Sequence, residues 1–236
     1  VKIIRSRHLF KLNAHKFYDH DLNKDLNTLF MTLAPFYIEN MLEAGIDEAG
    51  RGPLFGSLYV AAVILPFDVS FPHELMRDSK KISERKRLIA FDLIKEYALD
   101  YSIVAIDEAI IDKINIFQAT QLGMKTALNK LLVRPQHILV DGNYFKPYIS
   151  DHRIIPHTCI EGGDNLFTSI AAASILAKVS RDNYIYKLCD EYGNLEDFYN
   201  LRNNKGYGTK KHMEGIKNHG ITQWHRRSFG ICKNYP

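Results

Sequence analysis

Cysteine is scarce in this chain of 236 residues: there are three, Cys159, Cys189 and Cys232, far apart and with no C-x-x-C pair. An odd, dispersed set argues against a disulfide framework and a cysteine zinc site, and reduced cytoplasmic thiols are the expectation. Long apolar runs are missing too. The longest, residues 59–65, has the length of a buried strand and not of a membrane span, so no membrane partner is expected. The amino end mixes Lys, Arg, His and Asn without an apolar stretch, which argues against a secretory signal. There is no G-x-x-x-x-G-K-[ST] run, which sets aside a phosphate-loop nucleotide hydrolase. Internal repeats and low-complexity linkers are absent. Charge of one sign is not in large excess: a net +4 permits a nucleic-acid partner without demanding one. What is present is a 46% hydrophobic composition, enough for a sizeable core in one domain with an appendage.

Residues 1–42 read as an N-terminal extension and 43–236 as the main domain. The extension starts basic and histidine-rich. It then places Leu22, Leu26, Leu29, Phe30 and Leu33 at helical spacing before Pro35. It suits a dispensable appendage or a basic arm on nucleic acid. Beyond it, strands are predicted at 43–47, 56–65, 101–107 and 136–141, with extended chain at 153–160. The second is continuously apolar and should be covered on both faces. Ser83 should cap a helix with Ile89, Leu93 and Tyr97 as its buried stripe. After a break at 112–115, Ile116, Thr120, Gly123, Ala127 and Leu131 mark a second helix that Pro135 stops. A long helix rich in alanine runs from Asn165 to about Glu191, and Thr209 should cap another through Lys217.

Chemistry concentrates at strand ends. Asp47 and Glu48 stand before Gly50-Arg51-Gly52-Pro53. Carboxylate oxygens hold hard divalent cations, glycines let backbone N–H groups approach a ligand, and arginine forks onto phosphate or carboxylate. Adjacent strand residues face opposite ways, so both acids share one site only where the strand ends or bends, which Gly50 allows. Asp141-Gly142 repeats the arrangement, and Glu161-Gly162-Gly163-Asp164 presents a further acid at a helix N-terminus, where an ordinary cap would also sit. Ser174, Lys178 and Arg181 share one helix side, suited to phosphates or simply to solvent. Near the carboxyl end, a loop around Tyr207 and the cations Lys210, Lys211, His212, Lys217, His219, His225, Arg226 and Arg227 suit a nucleic-acid backbone or an ordinary surface.

IDEAGRGPLFG, DSKK, VDGN, GGDNLFTSIAAASILAKVSRD and NKGYGTKKH, in this order, resemble bacterial ribonuclease HII over about four fifths of the chain, leaving residues 1–42 uncovered. The resemblance implies an α/β, ribonuclease H-like fold: a mixed central sheet flanked by helices, with a helical C-terminal part. It implies an endonuclease that cuts the RNA strand of RNA–DNA hybrids and the 5′ side of single ribonucleotides in duplex DNA. Cleavage would proceed by two-metal-ion hydrolysis with Mg²⁺ or Mn²⁺, leaving 5′-phosphate and 3′-hydroxyl ends. The four acids of the family site fall on Asp47, Glu48, Asp141 and Asp164. The backbone-reading turn falls on Gly50, Arg51 and Gly52, the family's serine and lysine on Ser79 and Lys80, and the junction-sensing aromatic on Tyr207. Lys80, Lys178 and Arg181 are candidate phosphate contacts, with Ser174 on the same helix face. Four ionised carboxylates crowd together only with cations among them, which agrees with this assignment. A monomer is expected. The sister enzyme, ribonuclease HIII, is the nearest rival, against which the Gly-Arg-Gly turn speaks. A non-catalytic duplex-binding module is another, against which the intact set of acids speaks.

Overall fold

The computed structural model describes residues 33–66, 71–76 and 82–235. The helix predicted within the extension and the polar turn carrying Ser79 and Lys80 lie outside them. Seven strands and six α-helices follow in order: β1 (Glu43–Ala49), β2 (Leu58–Ile64), α1 (Glu84–Tyr97), β3 (Asp100–Ile106), α2 (Glu108–Lys130), β4 (His137–Asp141), β5 (Tyr148–Ser150), β6 (Arg153–Ile155), β7 (His157–Ile160), α3 (Thr168–Glu191), α4 (Asn194–Tyr199), α5 (Leu201–Asn204) and α6 (Lys210–His219). No described helix is long and apolar enough to cross a membrane.

Five strands form one sheet in the order β3-β2-β1-β4-β7. β1 to β3 are an antiparallel meander, while β4 and β7 run parallel to β1. The mixed sheet flanked by helices, with a helical C-terminal part, is the expected α/β ribonuclease H-like architecture. β2 is covered on both faces, as its unbroken apolar sequence requires. Leu58, Val60, Ala62 and Ile64 share a core with Ala119, Met124, Ala127 and Leu128 of α2. Ala61 and Val63 meet Ala171, Ala172, Ile175 and Leu176 of α3 from the other side. Each large aliphatic side chain so buried contributes roughly 1.5–3 kcal/mol. The alanines let α3 lie close to the sheet. At Gly45 of β1 a Cβ would stand 2.2 Å from the Ser169 carbonyl carbon, so any side chain there would push the helix off.

Residues 33–42 are tied to the rest. The Glu43 carboxylate accepts the Tyr37 and Ile38 N–H groups, each at 2.8 Å, and Ala34 bridges to Phe167. A third core holds the C-terminal part: Phe55, Ile185, Leu195, Tyr199 and Ile216, with half-buried Trp224 packed against them. As predicted, Ser83 caps α1 and Thr209 caps α6.

Three expectations change. α1 buries Ala90 and Ile94, leaving Ile89 and Tyr97 exposed and Leu93 half-buried. The run Leu88-Ile89-Ala90-Phe91 offers overlapping stripes, and the small Ala90 permits the closer approach to α3. The break before the second helix is a kink. Asn115 adopts φ 65° and ψ 163° inside α2, and its side chain caps the second half by accepting the Gln118 N–H at 3.1 Å. The extended chain at 153–160 is cut by Pro156 into β6, which makes a separate hairpin with β5, and β7, the edge of the main sheet. Asp151 and His152, with φ 50° and 62°, form its two-residue turn.

Candidate active site

β1 and β4 are parallel neighbours in the register Ile46↔Val140. The next residue on each is an acid, so Asp47 and Asp141 stand level at the same end of the sheet with side chains on one face. Asp47 is buried, and its carboxyl is pushed well above the usual range, first by that burial and then by the charges of Glu48 and Asp141. The Ser174 hydroxyl, reaching in from α3, and the Glu48 N–H, at 2.6 Å, draw it partly back. Asp141 is fixed by the Gly163 N–H, which donates to its Oδ1 at 2.8 Å. Glu48 is gripped by the exposed Arg51 at 3.3 Å. β1 ends at Ala49, one residue past Glu48, and Gly50 turns the chain with φ +100°. The bend that lets neighbouring acids share a site is therefore present.

Asp164 is buried in a short 3₁₀ turn, Gly163–Asn165, and its Oδ1 accepts from Asn165 Nδ2 at 2.9 Å. The turn places it immediately after the glycine that holds Asp141. It is not the cap of the long helix, which begins later, at Thr168, behind Phe167. The structure thus brings Glu48 and Asp141 within electrostatic reach of Asp47, with Asp164 on the adjoining turn. Among the described residues, no three acid, histidine or cysteine side chains are already drawn in to the spacing of an ion's ligand shell. The donor set nevertheless fits a hard divalent cation. It consists of oxygen alone, and the strain on Asp47 is the kind that a cation relieves.

The Ser174–Lys178–Arg181 stripe divides. Ser174 serves Asp47. Lys178 is half-buried and donates to Asp182 at 2.8 Å. Arg181, expected to meet phosphates, is 1% exposed and turned inward: it donates to the carbonyls of Phe55, Ser57 and Lys205 at 2.9, 3.1 and 2.9 Å. Its partners are all in the fold, so it is a brace and not a phosphate contact. Spacing on a helix says which residues share a side, and here that side faces the loop at 50–57.

Arg226 braces the same loop. Its guanidinium donates to the carbonyls of Gly50, Arg51, Pro53 and Gly56 at 2.6–3.1 Å, and its own N–H to that of Leu54 at 2.8 Å. Burial and the nearby Arg181 charge lower its pKa to about 10, so it stays cationic at neutral pH, with Glu108 and Asp112 as counter-charges. His225 and His212 are buried as well. The Thr222 N–H donates to His225 Nδ1 at 2.9 Å, which leaves His225 Nε2–H to donate to His212 Nε2 at 3.1 Å. The His212 Nδ1–H then donates to the Tyr207 carbonyl at 2.9 Å. Three of the cations expected at the surface are therefore interior. Within a run of basic residues nothing in the sequence separates Arg226 from its exposed neighbour Arg227. Tyr207 itself is 48% exposed, and a Cβ at Gly52 would stand 3.4 Å from its ring, so the aromatic and the glycine turn adjoin.

The family model described as Ribonuclease HII matches residues 44–232. The chain is 45% identical over 204 residues to Ribonuclease HII of Phocaeicola vulgatus, covering 86% of this chain and 96% of that relative. Its structure is similar to the crystal structure of the ribonuclease H2 from Pyrococcus horikoshii OT3, with a TM-score of 0.66 and 26% identity over 82% of this chain and 96% of that one. It shares its fold with Bst-RNase HIII in complex with Mn²⁺, at a TM-score of 0.57 and 19% identity, over 75% of this chain and 70% of that one.

Proposed function

This chain belongs to the ribonuclease HII family and is a ribonuclease H-type nuclease; from that premise we propose that it cuts the RNA strand of RNA–DNA hybrids, and duplex DNA on the 5′ side of a single ribonucleotide, leaving 5′-phosphate and 3′-hydroxyl ends. The observation that carries the reading is the level pairing of Asp47 and Asp141, with Glu48 beside them, next to an exposed Arg51–Gly52 turn that adjoins Tyr207.

Asp47, Glu48, Asp141 and Asp164 would hold two Mg²⁺ or Mn²⁺ ions. When bound, such ions supply an acidified water and charge compensation for the leaving 3′ oxygen. The chain's own residues do the holding. Ser174 and the Glu48 N–H orient Asp47, the Gly163 N–H orients Asp141, and Arg51 orients Glu48. Substrate choice must rest on the ribose 2′-hydroxyl, because that group distinguishes RNA from DNA at a given position. The backbone of Gly50, Arg51 and Gly52 is the reader of that hydroxyl. The Tyr207 ring packs on the following sugar and favours one without it. Lys178 is the stripe's remaining phosphate contact, and Ser79 and Lys80 are proposed to join it. Binding through the backbone is indifferent to base sequence and weakens with salt. We read residues 43–236 as the catalytic domain of a monomer that works in the cytoplasm.

Cleavage of duplex DNA carrying one ribonucleotide, with and without Mg²⁺ and Mn²⁺, tests the reading. Metal-dependent cutting 5′ to the ribonucleotide is expected. Cutting of long hybrids alone would favour the ribonuclease HIII type of activity, and tight hybrid binding without cleavage at any metal concentration would leave a duplex-binding module.

A further inference from the structure

Residues 50–57 carry eight carbonyl groups, and seven of them accept from two buried arginines. Those of Gly50, Arg51, Pro53, Leu54 and Gly56 accept from Arg226, and those of Phe55 and Ser57 from Arg181. Gly52 alone is outside the set. In a trans peptide the C=O and the following N–H point in opposite directions, and no peptide in the described chain is cis. Drawing the Gly50 carbonyl inward therefore turns the Arg51 N–H outward, and drawing in the Arg51 carbonyl does the same for the Gly52 N–H. Both residues are exposed, while Gly50 is buried. Among the described residues neither of these N–H groups has an acceptor within the chain.

We propose that Arg226 is a positioning residue for ribose recognition: by holding the Gly50 and Arg51 carbonyls it aims the Arg51 and Gly52 N–H groups at the 2′-hydroxyl. This rests on the function proposed above and adds the device that gives the turn its polarity. The two carbonyls bind different nitrogens of one guanidinium, Gly50 at Nη2, 2.7 Å, and Arg51 at Nη1, 3.1 Å. Nε and Nη2 meanwhile share the Gly56 carbonyl on the far limb of the loop. Only a planar fork with several fixed donors spans both limbs at once. A lysine brings the charge but a single donor point. Gly50 completes the clamp, because a Cβ there would stand 2.2 Å from Arg181 Nε.

Arg226→Lys is the test. Affinities are measured in Ca²⁺, which permits binding without turnover, for two duplexes that differ only in having ribose or deoxyribose at one central position. Wild-type protein is expected to prefer the ribose duplex, and the variant to lose that preference at least ten-fold while its affinity for the all-DNA duplex and for Mn²⁺ alone changes less than two-fold. A general loosening of the fold would weaken both duplexes together and leave their ratio intact; that result overturns the proposal, as does a variant with the wild-type ratio. Wild-type protein that neither prefers nor cuts the ribose duplex would instead fell the proposed function itself. Should Arg226→Lys not fold, the amide resonances of Arg51 and Gly52 in the wild-type protein decide. Both are expected to shift more with the ribose duplex than with the deoxyribose one, and equal shifts overturn the assignment.

Discussion

Asp141 and Asp47 sit side by side but are held differently, Asp141 by the Gly163 N–H and Asp47 by burial against two other acids. Asp141→Asn keeps the acceptor oxygen that Gly163 uses and gives up the charge. It is expected to abolish cleavage in single-turnover assays while hybrid affinity, dominated by phosphate contacts, stays within about ten-fold. Near-normal turnover would remove Asp141 from the catalytic set. Tyr207→Ala is expected to cost roughly ten-fold more, about 1.4 kcal/mol, at a lone ribonucleotide than in a long hybrid. Equal losses on both substrates would deny the ring a junction role. At this scale the acids were legible because strand-end carboxylates beside glycines are a local pattern. Arg181 and Arg226 were not, since an arginine that turns inward onto carbonyls looks, in sequence, like one that turns outward to phosphate.

Among the elements, α3 is the one that carries the site's second layer, with Ser174 over Asp47. Its distance from β1 is set at Gly45. Gly45→Ala would drive a methyl into the Ser169 backbone and is expected to destabilise the protein by at least about 2 kcal/mol in urea unfolding. An unchanged midpoint would show that the helix gives way. Apolar runs such as β2 announce themselves, as does a capped helix start. The rotation of α1 by one residue does not, because Ile89 and Ile94 compete on hydrophobicity alone and the small Ala90 decides only once α3 is in place. Nor does the β5–β6 hairpin, whose left-handed turn is made by Asp151 and His152 and not by glycine.

Across the molecule, the buried histidine pair joins α6 to the C-terminal segment and sets a pH dependence. His225 is pushed from 6.5 down to about 3 by burial and by His212. A depressed pKa means that the unfolded chain takes up a proton which the native chain refuses. The stabilising contribution is therefore complete above pH 6.5 and is lost as pH falls toward 3. That loss is about 1.4 kcal/mol for each pH unit below 6.5. Melting temperature is expected to fall steadily between pH 6.5 and 5, and His225→Gln to flatten that slope even if it lowers stability overall; an identical slope in the variant would clear the pair of responsibility. The order of the sheet was legible only through the family resemblance. Parallel pairing of β1 with β4 joins parts of the chain that no local pattern relates.

That pairing has a temporal side. Between β1 and β4 the chain lays down two strands and two α-helices, all of which must be synthesised before Asp47 can acquire Asp141 as its neighbour. Contacts so distant in sequence carry a loop-closure cost that slows folding, and during synthesis β1 emerges well before its partner. A growing polypeptide with β4 unmade therefore has Asp47 without one of the two acids whose charges raise its carboxyl, and the level pair exists only in the longer chain.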